Sequence, residues 1–198
     1  VGRLFDHLLR CAGLRPHVAV ESATITPRMI SRFDDDRARY YGIVLGESEG
    51  RMTVTLPETT HTYDARSGRY FGCVNRVEDT IKETQLATVY AQLPYAVRGV
   101  RARVTPQPAH PGDTVTLTGH IIAQDNTDAD QFHVVHAEVV DPQGIRPVYH
   151  QHNLGALKGR FEMTIPLAMN APEGVWRIEL RDAATGKRRA VRFTVTIG

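Results

Sequence analysis

The feature that most constrains the fold is a stretch, residues 172–195, in which hydrophobic and polar side chains alternate one by one. The hydrophobic positions are Trp176, Ile178, Leu180, Val191, Phe193 and Val195. Alternation with a period of two is typical of β-strands with one buried and one solvated face. The two runs are separated by Asp182–Arg188, which contains Thr185-Gly186 and favours a turn. The stretch therefore predicts a β-hairpin with the only tryptophan of the chain on its buried face.

The same alternation runs through the rest of the second half. Val115, Leu117 and Ile121 share one face of a run that places threonines on the other. The segment Asp141-Pro-Gln-Gly144 has the composition of a turn with proline at its second position. We count about seven strands in about a hundred residues, as in an immunoglobulin-like sandwich. Cysteine is absent from this half, so the Cys-Trp-Cys signature of antibody domains is missing.

The first half is also predicted to consist of short strands. Alternating runs such as RYYGIVLG, RMTVTLP and THTYDAR are separated by DDD, ESEG and PET, which have turn compositions. Asp64–Gly68 predicts a hairpin turn, because Gly68 can take a positive φ. Ahead of these strands, Arg3–Ala12 carries apolar residues at helical spacing and is followed by Gly13, which predicts one short helix.

The sequence thus predicts an all-β protein of two consecutive antiparallel β-sandwich (immunoglobulin-like) domains preceded by one short α-helix. We place the helix, as the end of an upstream domain, in residues 1–16. The first sandwich is placed in residues 17–98 and the second in residues 99–198, because the strand pattern stops at Pro94 and restarts at Val100. Since the chain begins with Val1 rather than Met, we interpret it as part of a longer protein.

Composition and charge argue against several classes of function. The 24 Lys and Arg residues are balanced by 22 Asp and Glu residues, which does not favour binding to nucleic acid. No apolar run approaches the ~20 residues of a membrane span. The glycine spacing of phosphate-binding loops and the serine of a nucleophile elbow are missing, and no cofactor is expected. Cys11 and Cys73 are too few for a disulfide-built scaffold, and whether they are bridged is left open.

Aromatic residues are the first candidates for a binding site. Those concentrated in the first half are Tyr40, Tyr41, Tyr63, Tyr70 and Phe71. Together they could form a platform for a sugar ring, although aromatic side chains of strands more often fill a sandwich core.

Histidines and carboxylates are the second set of candidates. His150 and His152 lie two apart on a predicted strand and would share a face, as zinc ligands can, but a third ligand would have to come from a distant strand. The acidic clusters at residues 34–36 and 125–130 lack the EF-hand pattern and are interpreted as solvated turns. A glycosidase pair could come from Glu138, Glu162, Glu173 or Glu179, but a compact sandwich offers little cleft. We predict no catalytic residue and no metal site, with His150 and His152 as the only metal candidates.

Several longer stretches resemble known families. PGDTVTLTG (residues 111–119), VVDPQG (residues 139–144) and IPLAMNAPEGVWRIELRDAATGKRRAVRFTV (residues 165–195) resemble a macroglobulin-type immunoglobulin-like module. They are more similar still to the C-terminal module of large bacterial β-galactosidase-like glycoside hydrolases. LLRCAGLRPHVAV (residues 8–20) resembles the last helix of a glutamine-amidotransferase-like domain that passes into a β-sandwich, and TYDARSGRYFG (residues 62–72) resembles that sandwich.

The resemblance implies a function that the residues alone do not. In that family the catalytic carboxylates lie in an upstream barrel, so this chain is expected to be a non-catalytic C-terminal accessory region that packs and spaces the catalytic domains. The partners implied are upstream domains of the same polypeptide and a glycan, in a secreted or periplasmic bacterial protein. Two alternatives stay open at this point: a carbohydrate-binding or adhesin-like module, and a metal-dependent hydrolase.

Overall fold

The structure is a computed structural model that describes residues 11–13, 17–46, 49–82 and 84–197. Over these residues it is built from antiparallel strands, which confirms the predicted all-β class. The predicted helix Arg3–Ala12 lies outside the described residues except for its last two positions. The strands are β1 Ala19–Glu21, β2 Met29–Asp35, β3 Ala38–Val44, β4 Gly50–Asp64, β5 Tyr70–Ile81, β6 Ala87–Leu93, β7 Val97–Thr105, β8 Thr114–Ala123, β9 His133–Val140, β10 Gln151–Ala156, β11 Arg160–Pro166, β12 Gly174–Asp182 and β13 Arg188–Val195.

Strands β1–β6 form one sheet that folds over itself. Its order is β1-β4-β6-β3-β2, and β5 pairs with β4 along most of that strand. The first part of β4 also pairs with β1, whereas its last part pairs with β6. Val54 and Leu56 of β4 and Tyr41 and Ile43 of β3 belong to one buried hydrophobic cluster, which is the core of this folded sheet.

The long strand β4 corrects one sequence prediction. PET, residues 57–59, was expected to be a turn, but it lies inside β4. The pairing with β5 is irregular between Thr55 and Thr60, so these residues form a bulge rather than regular ladder positions. Proline has no N–H to donate to a ladder and is tolerated at a bulge, which explains how Pro57 fits within a continuous strand.

Strands β7–β13 form a sandwich of seven strands, as predicted for the second half. A four-stranded sheet, β10-β9-β12-β13, faces a three-stranded sheet, β11-β8-β7. Trp176 lies between them with 5% of its surface exposed, stacks on Phe193 and donates its indole N–H to the Pro172 carbonyl over 3.1 Å. On the facing sheet Gly119 points inward, where the Phe161 ring occupies the space that a side chain would need.

The chain passes from the first sheet to β7 through residues 94–96. The predicted boundary between residues 98 and 99 falls within β7, beside a register irregularity between Val97 and Gly99. A second buried cluster contains Tyr63 and Leu93 from the first sheet together with Trp176 and Phe193. The hydrophobic core is thus continuous from one half of the described chain to the other.

Candidate functional site

Two hairpin turns with the same pattern of residues lie at the junction of the two halves. Asp64-Ala-Arg-Ser-Gly68 joins β4 to β5, and Asp182-Ala-Ala-Thr-Gly186 joins β12 to β13. In each turn the glycine N–H donates to the aspartate carbonyl over 2.8 Å, and the glycine has a positive φ of 77° or 68°. The aspartate carboxylates accept hydrogen bonds from the Ser67 and Thr185 hydroxyls inside their own turns. Asp64 also accepts the Arg66 N–H and Asp182 the Thr185 N–H, and such bonds from side chain to backbone fix both loops in one conformation.

The two turns contact each other through their glycines. A Cβ atom added to Gly186 would lie 2.5 Å from the Gly68 Cα, and one added to Gly68 would lie 3.1 Å from the Gly186 Cα. Such a close approach of two backbones leaves no room for a side chain on either residue. We call the whole contact the seam; it joins residues 36–37, 63–68 and 95 on one side to residues 97, 130–133 and 181–186 on the other.

Arg181 of β12 binds the backbone of the first turn. One terminal nitrogen of its guanidinium donates to the Ala65 carbonyl over 2.9 Å and to the Arg66 carbonyl over 2.8 Å. At the opposite end of the seam, the Arg37 N–H donates to the Gln131 Oε1 over 3.1 Å, and the Arg37 guanidinium pairs with Asp130. Both ends of the seam are therefore held by polar contacts in addition to apolar packing.

A chain of buried hydrogen bonds lies between these ends. The His133 Nδ1 is 2.9 Å from the Asp182 Oδ1, and neither side chain is exposed. The His133 Nε2 is 2.9 Å from the Tyr95 hydroxyl, which also accepts the Gln131 N–H over 3.2 Å. Burial raises the pKa of Tyr95, so its hydroxyl stays protonated and can donate to His133.

Tyr63 completes the buried part of the seam. Its hydroxyl accepts the Val97 N–H over 2.9 Å, at the first residue of β7. Burial raises the pKa of Tyr63 to about 12, which keeps this phenol neutral at physiological pH. The buried side chains of Tyr63, Tyr95, His133 and Asp182 thus each have a hydrogen-bond partner, and a buried polar network of this kind specifies one arrangement of the groups it joins.

The seam contains the residue types of a catalytic hydrogen-bond relay, but these residues are not accessible to a substrate. Tyr95, His133 and Asp182 are linked in series, as a base and its orienting carboxylate are in hydrolases. Because the His133 and Asp182 side chains have no exposed surface, no substrate atom can reach the imidazole. The chemistry that this arrangement supports is structural: it fixes the second half of the chain on the first.

The five aromatic residues predicted for sugar binding differ in how far they are buried. Tyr41 and Tyr63 are fully buried, whereas Tyr40 and Phe71 are half-buried and pack against the two hydrophobic clusters. Tyr70 is 43% exposed, with its ring 4.7 Å from that of Tyr63 and its hydroxyl 2.7 Å from the His61 Nδ1. Sugar binding stays a prediction, and Tyr70 is the member of the set with the largest exposed surface.

The predicted metal candidates do not lie on one strand. Val148–His150 is a short 3-10 turn, and β10 begins only at Gln151, which corrects the predicted strand through both histidines. His150 is buried against Tyr149, and this burial, with the nearby charge of His152, lowers the pKa of His150. Within the part of the chain that the structure describes, no three His, Cys, Asp or Glu residues are grouped so as to hold a metal ion.

Several of the remaining acidic candidates pair with arginines. Asp34 pairs with Arg32, Asp128 with Arg160 and Asp130 with Arg37. Glu138 and Glu179 are cross-strand neighbours on the solvent face of the four-stranded sheet, and both contact Arg146.

Cys11 and Cys73 are exposed thiols, and no disulfide joins residues that the structure describes. No helix among those residues has the length and hydrophobicity needed to cross a membrane.

Comparison with known proteins does not assign a family. No family model and no curated protein matches the chain. Among solved structures, the native conformation of Escherichia coli alpha-2-macroglobulin is similar with a TM-score of 0.43 and 15% identity, over 89% of this chain and 12% of that one. A mutant of Salmonella alpha-2-macroglobulin is similar with a TM-score of 0.41 and 18% identity, over 85% of this chain and 12% of that one. PorZ is a surface component of the type-IX secretion system of Porphyromonas gingivalis. It is similar with a TM-score of 0.33 and 12% identity, over 87% of this chain and 23% of that one.

This chain therefore spans only a small part of the length of the proteins it is similar to.

Proposed function

We propose that this chain is a non-catalytic accessory region of a larger protein, in which two β-sandwich modules, residues 17–98 and 99–198, form one rigid spacer. The observation that carries the proposal is the seam. Its two glycine turns touch backbone to backbone, and the bonds from Arg181 to the first turn and from Tyr95 to His133 join one module to the other.

The physical argument is that a spacer must hold its two ends in one orientation. Tandem domains that move independently are joined by exposed polar linkers that few contacts cross. In this chain only residues 94–96 separate β6 from β7, and the Gln124 N–H donates to the carbonyl of Ala96 over 2.8 Å. Separating the modules would break the hydrogen bond between Tyr95 and the buried His133, and a buried polar group left without a partner costs about 1–3 kcal/mol.

The finer part of the proposal concerns the parent protein. The resemblance of residues 165–195 to the C-terminal module of bacterial β-galactosidase-like glycosidases favours a secreted or periplasmic enzyme whose catalytic carboxylates lie in other domains of the same polypeptide. Those domains are the proposed partners, and the role of this region is to pack against them and set their spacing.

Calorimetry tests the rigid-spacer proposal directly. We expect the chain to unfold in one transition in which the calorimetric enthalpy equals the van't Hoff enthalpy, because the modules share a core and a buried polar network. Two resolved transitions, or a calorimetric enthalpy about twice the van't Hoff value, would refute a single cooperative unit.

Hydrolysis assays test the non-catalytic part separately. The purified chain should leave aryl glycosides of several sugars intact. Glu138 and Glu179 are the carboxylates that the structure places side by side, and Arg146 holds both. Turnover above background that is lost in Glu138→Gln or Glu179→Gln would overturn this part, whatever calorimetry shows.

A further inference from the structure

The solvent face of the four-stranded sheet carries arginines in an unusual arrangement. Arg177 lies directly opposite Arg192, and Arg181 lies directly opposite Arg188, in the pairing of β12 with β13. We call these four residues the arginine face. Like charges directly opposite each other on neighbouring strands destabilise a sheet. The fold tolerates two such pairs on one face, separated by the Glu179–Ala190 pair.

Most of this positive charge is not neutralised within the described part of the chain. Arg177 pairs with Glu179 over 2.7 Å, but Arg188 and Arg192 form no ion pair with any residue that the structure describes. Arg181 donates to the carbonyls of Ala65 and Arg66 rather than to a carboxylate. The neighbouring Lys187 and Arg189 add further positive charge at the edge strand.

Two of these arginines also have buried donors without partners. The Nε atoms of Arg177 and Arg181 are shielded from solvent and make no hydrogen bond in the described structure. A buried donor without an acceptor costs free energy, and such groups in folded proteins usually have a partner. Both guanidinium groups thus retain a donor that the described part of the chain does not use.

Acidic residues lie between the two arginine pairs. Glu138 and Glu179 are cross-strand neighbours, and Arg146 contacts them over 2.5 and 2.8 Å. The face therefore alternates along β12 from Arg177 to Glu179 to Arg181, with the two arginines about 13 Å apart at the ~3.3 Å rise of a strand. The charge pattern is basic, acidic, basic, with Arg146 offsetting one of the two carboxylate charges at its centre.

We propose that the arginine face docks an acidic protein surface that carries carboxylates over the two arginine pairs and a basic group between them. Charge complementarity selects this partner, because a polyanion of uniform charge would place anionic groups over Glu138 and Glu179 as well. Phe, Tyr and Trp are absent from β9 and from the solvent face of β12 and β13, so stacked nucleic-acid bases or sugar rings find no platform there. The proposal goes beyond the spacer function, since it does not depend on whether the modules are rigid.

Two peptides of identical composition probe the pattern. One contains Glu-Thr-Lys-Thr-Glu, which in an extended conformation presents two carboxylates ~13 Å apart with an ammonium between them. The other contains Glu-Glu-Thr-Thr-Lys, which has the same net charge without the pattern. In amide NMR titrations of the full chain at low ionic strength, the patterned peptide should shift resonances of β12 and β13 and bind at least about fivefold more tightly than the scrambled one.

Charge-reversal variants locate the site. The double variant Arg188→Glu/Arg192→Glu should weaken binding of the patterned peptide at least about tenfold. The matched control, Arg101→Glu/Arg103→Glu, makes the same change of charge on the outer face of the three-stranded sheet and should alter binding less than about twofold. Both residues of the control variant are exposed on β7.

The double variant should remain folded. Each of its two substitutions places a carboxylate directly opposite an arginine of β12, so a like-charge pair becomes an attractive one. If its Trp176 emission is altered, Arg188→Gln/Arg192→Gln replaces it, with the same direction of effect expected. Equal binding of the two peptides, or no shift of these resonances with either peptide, would overturn the proposal. Shifts of the same resonances by heparin or duplex DNA alone would indicate a site for polyanions instead.

Discussion

The contact between the two glycine turns predicts a specific loss of stability in Gly186→Ala. Alanine at a φ of 68° costs about 1–2 kcal/mol of unfolding free energy wherever it is placed. In the seam, the new methyl group would also lie 2.5 Å from the Gly68 Cα and 3.2 Å from the Gly68 nitrogen. Because these are backbone atoms, the turn itself must move, and overpacking of this kind costs a further ~1–3 kcal/mol. The expected total is about 2–5 kcal/mol.

Gly144→Ala is the matched control. Gly144 has a φ of 86°, similar to that of Gly186, but nothing lies within 4 Å of the position its Cβ would occupy. Alanine there should cost only the backbone term of about 1–2 kcal/mol. Urea unfolding followed by Trp176 fluorescence measures both variants. An equal loss of stability in the two would show that the contact between the turns contributes nothing, and the argument from the seam would fail.

Three further predictions follow from individual side chains. Trp176→Ala should lower the free energy of unfolding by about 3–5 kcal/mol, as measured by denaturation, since it removes a large aromatic side chain from between two sheets; emission of the native protein at the wavelength of exposed indole would contradict this burial. Thiol alkylation of the native protein without reductant should modify Cys11 and Cys73, since both are exposed; a mass unchanged until reductant is added would reveal a disulfide. Hydrogen bonds to Asn153 and then to Glu138 raise the pKa of His136, so protonation of His136 favours the folded state. The stability advantage of the native protein over His136→Gln, measured by urea unfolding at several pH values, should therefore be fully present below about pH 6.5 and disappear as pH rises through the raised pKa. An advantage that grows with pH would contradict this prediction.

The second half of the fold was predictable because its sequence pattern is local. Alternation places Trp176, Ile178 and Leu180 inward, and the structure buries all three. The turns at Asp64–Gly68 and Asp182–Arg188 were also identified correctly, because glycine at a positive φ leaves a recognisable residue pattern. PET, residues 57–59, was misinterpreted as a turn, since proline interrupts a regular ladder but is tolerated at a bulge, and the strand that pairs beside the bulge is distant in sequence.

The seam was not predicted, because it depends on which residues meet across the fold. His133 and Asp182 are far apart in sequence, and alternation alone does not reveal that Tyr95 joins them. One signal was present: Asp-Ala-x-Ser/Thr-Gly occurs at both residues 64–68 and 182–186. Its recurrence could have indicated equivalent turns, although not that their glycines touch. The buried positions of Tyr41 and Tyr63 likewise follow from packing that spacing does not encode.

The relative orientation of the two modules in solution tests the central claim most directly. Residual dipolar couplings of backbone amides in a weakly aligned sample report the alignment of each module separately. If the seam holds the modules as one body, a single alignment tensor should fit the amides of β1–β6 and β7–β13 together. Two tensors that differ in magnitude, each fitting one module alone, would show that the modules reorient independently and would contradict the account.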